Sequence, residues 1–402
     1  MRELFLLDPD VVFLNHGSFG ACPRPVFERY QAWQRELERQ PVELLGRRSA
    51  ELLAQSRASL AGYVGADPDD LVYITNTTTG VNVVARSLAL RPGDEVLTTD
   101  HEYGACDATW ELVCRRTGAR YVRHPLPLPL TDRAADVIWG GVTPRTRVLF
   151  LSHITSTTAL ILPVAELCRR ARDAGILSVI DGAHAPGQLP LDIGAVGADV
   201  YIGNCHKWLC APKGAALLHV RPEHQLDFDA VVISWGYCGQ VSGHTSFDGY
   251  LGSTPFVRRH QWQGTRDISA FLSVPAAIDF QREHRWDQVR RRCHELALQT
   301  RDRIGELTGL EPVGPDDSFG QMVAAPLPPC DAAALKAALH DRFRIEVPIT
   351  THGGRQLIRV SLQAYNSPAD ADALIDALRV LLAEPGSPFA GVSAAGSSGA
   401  GR

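Results

Sequence analysis

Between residues 70 and 220, short apolar runs alternate with longer stretches whose apolar residues recur every third or fourth position. The runs "LVYIT" (71–75), "DEVLTT" (94–99), "RVLFLSHI" (147–154), "ILSVID" (176–181), "ADVYIG" (198–203) and "GAALLHV" (214–220) read as strands. "GVNVVARSLAL" (80–90) and "PVAELCRRARDAG" (163–175) read as helices, the second opened by proline and closed by glycine. Near-continuous apolar strands separated by helices predict an α/β unit with a largely parallel sheet buried on both faces.

After residue 268 the texture changes. "DISAFLSVPAAIDFQREH" and "WDQVRRRCHELALQTRDRIGEL" predict two helices. A strand "QMVAAPL", a helix "DAAALKAALHDRF", a strand pair in "IEVPITTHGGRQLIRVSL" and a last helix in "NSPADADALIDALRVLLAE" follow, which suits a smaller α+β domain. Residues 222–265 carry few periodic runs, and their Gly- and aromatic-rich stretch "SWGYCGQVSGHTSFDGYLGS" is expected to line a side-chain pocket. The chain divides into an N-terminal segment (1–40) packing on the small domain and site, a large domain (41–267), a small domain (268–385) and a tail (386–402) expected to be disordered.

A chain of 402 residues exceeds one ordinary core. A net charge of −5 without a basic run gives no reason to expect a nucleic-acid or membrane partner. No apolar stretch approaches the roughly 20 residues that span a bilayer. The start, "MRELFLLDPDVVFLNHG", lacks the order of a signal peptide, so a cytoplasmic address is expected. Nine scattered cysteines, an odd number, do not suggest a disulfide framework. Cys205, His206 and Cys210 lie close together, and a metal hydrolase could be built on them. No second Cys/His pair is near in sequence and a structural zinc site needs about four ligands, so no metal is expected.

Parallel sheets bind ligands beyond the carboxyl ends of their strands. There stand "NTTTG", "DHEYG", "SHITSTT", "DGAH" and "NCHKW". Lys207 either reaches water at its strand end or is buried with a depressed pKa, where a neutral amine is a nucleophile. Thr78 and Thr79 open a helix, as an ordinary cap or as a cradle for an anion. Asp181 either caps a turn or pairs with a cation. Together they suit a pyridinium cofactor with a phosphate and an aldehyde: the carboxylate keeps the ring nitrogen protonated, the lysine holds the aldehyde, and the helix start holds the phosphate.

The motifs "FLNHGSFGACPRPVFE", "ITNTTTGVN", "DGAHAPGQ", "GNCHKWLCAPKG", "QWQGTRD" and "IRVSLQAYN" carry a resemblance that spans nearly the whole chain. The sequence resembles the fold-type I pyridoxal-phosphate enzymes of the class V aminotransferase group, in the isopenicillin N epimerase-like branch. The resemblance implies a large domain with a mainly parallel sheet of the seven-stranded type, a smaller α+β domain, and pyridoxal 5'-phosphate as cofactor. It implies that Lys207 forms the Schiff base and Asp181 pairs with the ring nitrogen. His184 would lie near the phenolic oxygen, and Tyr103 would stack on the ring. Thr78, Thr79 and His206 would bind phosphate. Thr265 would reach the phosphate of a neighbouring subunit in a homodimer with shared sites. Arg359 would clamp the α-carboxylate of an amino-acid substrate, with Asn15, His16 and Ser18 facing that substrate.

The resemblance leaves several reactions open. Epimerisation of an amino acid with a bulky side chain leads, and it needs a second acid/base such as Tyr103 or His16. A C–S β-lyase on cysteine conjugates comes next, then an aminotransferase or decarboxylating deaminase. A non-catalytic binding or regulatory protein on the same fold is the alternative of another class, opposed by the intact Asp181/Lys207 pair. Related cysteine desulfurases carry a loop cysteine shortly before the carboxylate-binding arginine. Here "EVPITTHGGRQLIRVS" has none.

Overall fold

The computed structural model describes residues 1–238 and 251–389. Among the described residues, twelve strands follow in chain order: β1 (Val12–Phe13), β2 (Leu71–Ile74), β3 (Glu95–Thr99), β4 (Arg120–His124), β5 (Thr146–Ser152), β6 (Leu177–Gly182), β7 (Val200–Asn204), β8 (Ala216–Val220), β9 (Met322–Pro326), β10 (Ile345–Glu346), β11 (Ile349–His352) and β12 (Arg355–Ser361). The main sheet has seven strands in the order β2-β8-β7-β6-β5-β3-β4. β3 to β7 run parallel, whereas β8 is antiparallel to both its neighbours.

Successive strand residues point to opposite faces. Val72, Val148, Phe150, Val179 and Ile202 join one apolar core, while Leu71, Leu149, Leu151, Ile180 and Tyr201 join the other. Both faces are buried, which is why the strands read as unbroken apolar runs. The helices Thr77–Ser87 and Gly104–Thr117 cover the first face with Val81, Val84, Cys106 and Trp110. The helices Ser49–Val64 and Val164–Asp173 cover the second.

Two differences from the sequence reading have physical causes. β4 was not foreseen, because "RYVRH" lies at the sheet edge with Arg120 and Arg123 exposed and reads as polar. "DISAFLSVPAAIDFQREH" forms two helices, Ser269–Leu272 and Val274–Glu283, because Pro275 cannot donate a helical hydrogen bond and so opens a new first turn.

β9, β11 and β12 form an antiparallel sheet in the order β11-β12-β9. The helix Trp286–Thr308 packs on β9 and on the last helix, Pro368–Ala383. The amino-terminal segment is sewn to this unit. β1 pairs in parallel with β10, and the Ser361 amide donates to the Leu14 carbonyl at 2.9 Å. One apolar core runs from Phe5 through Phe280 to Leu381. Residues 239–250, the centre of the Gly- and aromatic-rich stretch, and the tail from 390 lie outside the described residues, and the expectations for a side-chain pocket and a disordered tail fall mostly there.

Candidate active site

The carboxyl ends of β2, β5, β6 and β7 border a cavity of about 250 Å³. The β7–β8 connection carries Lys207 into it. That connection is held closely on both sides. A Cβ at Gly20, with φ +70°, would collide with the His206 carbonyl oxygen, and one at Gly187, with φ +90°, with that of Trp208. Only glycine suits both places.

Lys207 Nζ lies 3.3 Å from His184 Nε2. Burial, with the Arg359 charge added, pulls the Lys207 amine down to about 8, against the opposing pull of Asp181. The Trp208 indole donates to His184 Nδ1 at 3.2 Å. That leaves the His184 proton on Nε2, facing the amine. Burial, Lys207 and Arg359 hold His184 well below the usual histidine range. Asp181 ends β6, with the Ala183 amide donating to Oδ1 at 2.9 Å and the Cys106 thiol to Oδ2 at 3.4 Å. Burial raises its pKa, while the Ala183 amide, Lys207 and Cys106 oppose that rise.

Asn76 caps the helix Thr77–Ser87, accepting from the Thr79 amide at 2.8 Å and the Thr79 hydroxyl at 3.0 Å. The Thr79 hydroxyl also meets that of Thr75 at 2.9 Å. Thr79 is therefore turned back onto the cap and does not line the cavity. Thr78 does line it, and so does Thr77, whose buried hydroxyl has no partner. His206 lines the cavity too; its Nδ1 donates to the Ala215 carbonyl at 2.9 Å, and burial lowers its pKa to about 4. Tyr103 caps the next helix at the cavity wall and is 49% exposed.

Arg359 on β12 is buried, and among the described residues it has no acidic partner. Its Nη1 donates to the Ser156 carbonyl at 2.6 Å and its Nη2 to Ser18 Oγ at 3.0 Å, while Nε is buried and unpaired. Burial lowers it to about 10. Ser18 and Ser156 both line the cavity. Asn15 instead stands behind Ser18, donating to Glu346 at 3.0 Å and accepting from Ser18 at 2.5 Å.

His16 is a correction. It is fully buried, with Nδ1 3.0 Å from the Tyr365 hydroxyl and Nε2 3.0 Å from the Lys207 carbonyl. Burial takes its pKa to about 3. It supports the lysine loop from behind and does not face the cavity. Thr265 is exposed and is not part of this chain's cavity wall.

The amino-acid sequence from residue 20 to 374 matches the profile of the family Aminotransferase class-V. The chain belongs to that family. Among the relatives of this chain, isopenicillin N epimerase of Amycolatopsis lactamdurans is 42% identical over 388 residues, covering 94% of this chain and 97% of that one. A putative L-cysteine desulfhydrase of Oryza sativa subsp. japonica is 31% identical, covering 93% and 84%. The fold matches a solved cysteine desulfurase of Thermococcus onnurineus with a TM-score of 0.80 at 22% identity, covering 94% of this chain and 96% of that one.

Several cavity residues escaped sequence reasoning: Phe19, Thr77, Ser152, Ser156 and Asn204. All but Phe19 stand within a strand-end motif, so position was the available signal; Phe19 follows Ser18 in the amino-terminal motif. Thr77 also had a sequence cue, since an Asn cap engages the third helical residue and leaves the first. The stretch in which desulfurases carry their loop cysteine is here the β11–β12 hairpin, turned tightly at Gly353 and Gly354 with φ of +54° and +77°. Among the described residues, Asp100, His101 and His352 bring three possible ligand atoms within 4.8 Å. His101 already spends both ring nitrogens, on Thr158 and on the Leu126 carbonyl, each at 2.8 Å.

Proposed function

We propose that the protein is a pyridoxal-phosphate-dependent epimerase acting at the Cα of an amino acid with a bulky side chain. The observation that carries this reading is the Lys207 amine, held near 8 in a cavity between Asp181 and Arg359. The residues present fit the cofactor. An unpartnered Thr77 hydroxyl and a helix start suit the phosphate, Asp181 suits a cationic ring nitrogen, and Arg359 is a buried cation that meets no anion among the described residues. Bound there, pyridoxal phosphate supplies an aldehyde for the amine and a ring that takes up the electron pair left at Cα.

Around it, this chain's groups have separate tasks. Thr77 and Thr78 would hold the phosphate, with Thr79 acting through the Asn76 cap, while His206, whose ring proton is spent on Ala215, would donate to it only as the imidazolium. Asp181 would keep a proton on the ring nitrogen, and Tyr103 would cover the ring from the cavity wall. His184, with its Nε2–H beside Lys207, would donate to the phenolic oxygen. Arg359 turns from Ser156 and Ser18 to the substrate carboxylate, which gains two parallel hydrogen bonds. Lys207 Nζ moves the Cα proton on one face. Tyr103 is the group proposed for the other face, since His16 is withdrawn by burial.

A homodimer with shared sites is part of the proposal. Thr265 is exposed away from its own cavity, and Phe19 and Tyr103 stand on the cavity wall 73% and 49% exposed. A second copy would cover them. Thiol cysteines such as buried Cys205 and Cys210 favour a reducing, cytoplasmic setting. The epimerase relatives favour a role in secondary metabolism.

Incubation in deuterated water with isopenicillin N and a panel of L-amino acids tests the reaction. Epimerisation gives Cα deuterium and a growing pool of the opposite isomer, with no keto acid. The desulfhydrase relative favours a second reading, β-elimination, which releases pyruvate, ammonia and a thiol or sulfide instead. A panel without Cα exchange would remove both.

A further inference from the structure

Glu102 precedes Tyr103 in the turn between β3 and the helix Gly104–Thr117, and it is buried. Its carboxyl takes three hydrogen bonds. Thr99 Oγ1 donates to Oε1 at 2.8 Å, and the Ser152 amide and hydroxyl donate to Oε2 at 2.8 and 2.6 Å. Ser152 lines the cavity and pairs across β5 and β6 with Asp181. One carboxyl thus ties together the end of β3, the turn that presents Tyr103, and the strand end beside Asp181.

We propose that Glu102 is a positioning residue that fixes the Tyr103 turn to the end of β5 and sets the charge of the Asp181 corner. The inference rests on the pyridoxal-phosphate reading of the site.

The titratable groups facing Glu102 are all acids: Asp181 on β6, Cys106 on the following helix and Tyr121 on β4. Two carboxyls in an apolar corner oppose each other's ionisation. Burial is the larger cause and Asp181 adds to it, lifting Glu102 to about 7 against the hydrogen bonds from Ser152 and Thr99. Below that pH, Glu102 carries a proton that the Thr99 hydroxyl can accept, and it adds no charge beside Asp181. Above it, the corner holds a second negative charge. A nitrogen resting on Asp181 then keeps its proton more tightly.

Two substitutions separate the two tasks. In Glu102→Gln, the amide oxygen can accept from both Ser152 groups and the amide nitrogen can donate to Thr99, so the geometry survives without a titrating group. Glu102→Ala removes all three contacts.

The test strips the wild type and both variants of cofactor and titrates each with pyridoxal phosphate, over about two pH units either side of 7. Dissociation constant and visible spectrum are both recorded. The wild type is expected to show a transition near 7 that Glu102→Gln lacks, while Glu102→Gln binds within about twofold of wild type at low pH. Glu102→Ala is expected to bind about tenfold more weakly at every pH. Unloaded proteins give a readout without cofactor. Because the folded pKa is raised, the wild type loses stability relative to Glu102→Gln as pH climbs from the ordinary carboxylate range through 7. A Glu102→Gln protein that keeps the wild-type transition and melting profile overturns the inference alone, even if Glu102→Ala fails to fold. A wild type that takes up no pyridoxal phosphate overturns the site reading with it.

Discussion

Lys207 stands between two buried polar clusters that look alike in composition and differ in bonding. Behind it, His16 meets Tyr365, the Lys207 carbonyl and Gln363, and the Gln363 oxygen accepts from the Ala364 amide at 2.8 Å. In front of it, among the described residues, Thr77 has a hydroxyl without a partner, Arg359 has an unpaired Nε and no acid, and the amine itself is pulled down to about 8. Each cluster holds a neutral, buried histidine, His16 or His184. Burial and residue type therefore do not separate support from chemistry. Unspent bonding capacity that opens onto the cavity does, because a polar group left unpaired there costs free energy that a ligand can recover, whereas the unpaired Gln321 Oε1 behind the lysine does not line it.

The sharpest way to break this contrast is Lys207→Ala. It should lower Cα exchange by at least about 10³-fold, and leave the melting temperature near wild type when both are measured without cofactor, since the loop is held by its backbone. A collapse of the fold would move Lys207 into the supporting class. Asp181→Asn comes next. It should slow turnover about a hundredfold or more, while absorption spectroscopy still finds cofactor bound, because an amide cannot hold a cationic ring nitrogen as a carboxylate does. Arg359→Ala should lower kcat/KM about 10- to 100-fold for every side chain alike, the worth of hydrogen bonds to a charged group. A change confined to which side chain is accepted would place the carboxylate elsewhere.

The smallest effect on exchange belongs to the rear cluster. His16→Gln should leave exchange near wild type and reduce stability by about 1 kcal/mol in chemical denaturation near neutral pH. The pH dependence has a definite sign. Burial lowers His16 to about 3 and His206 to about 4, so neutral histidine is favoured in the fold. That stability is present above the unfolded value of about 6.5 and is lost as pH falls through the folded values. The stability gap between wild type and His16→Gln should therefore narrow in acid.

Much of this contrast was legible in the sequence, but unevenly. Strands buried on both faces announce themselves, and the rim residues Asp181, His184 and Lys207 follow from where those strands end. The edge strand β4 was hidden because an edge does not need to be apolar. Thr79 and His16 were misplaced for one shared reason. A motif shows which residues are near the site, but the direction of a side chain depends on which partner it bonds. Thr79 is taken by Asn76 of its own cap, and His16 by Tyr365 in a different motif at the far end of the chain. Glu102 sits inside "DHEYG" and was passed over, because nothing local shows that Ser152, fifty residues on, donates to it twice.

The pairing of β1 with β10 has a consequence for biosynthesis. Val12 meets Ile345, so the first strand made must wait for nearly the last before it can dock. On a ribosome adding about 5–20 residues per second, the doubly wound sheet can assemble while this segment still has no partner. His16 follows β1 directly and carries the contact to the Lys207 carbonyl. The lysine loop therefore receives its rear support only after the C-terminal hairpin has emerged, and a nascent chain acquires its strands well before it acquires a finished site.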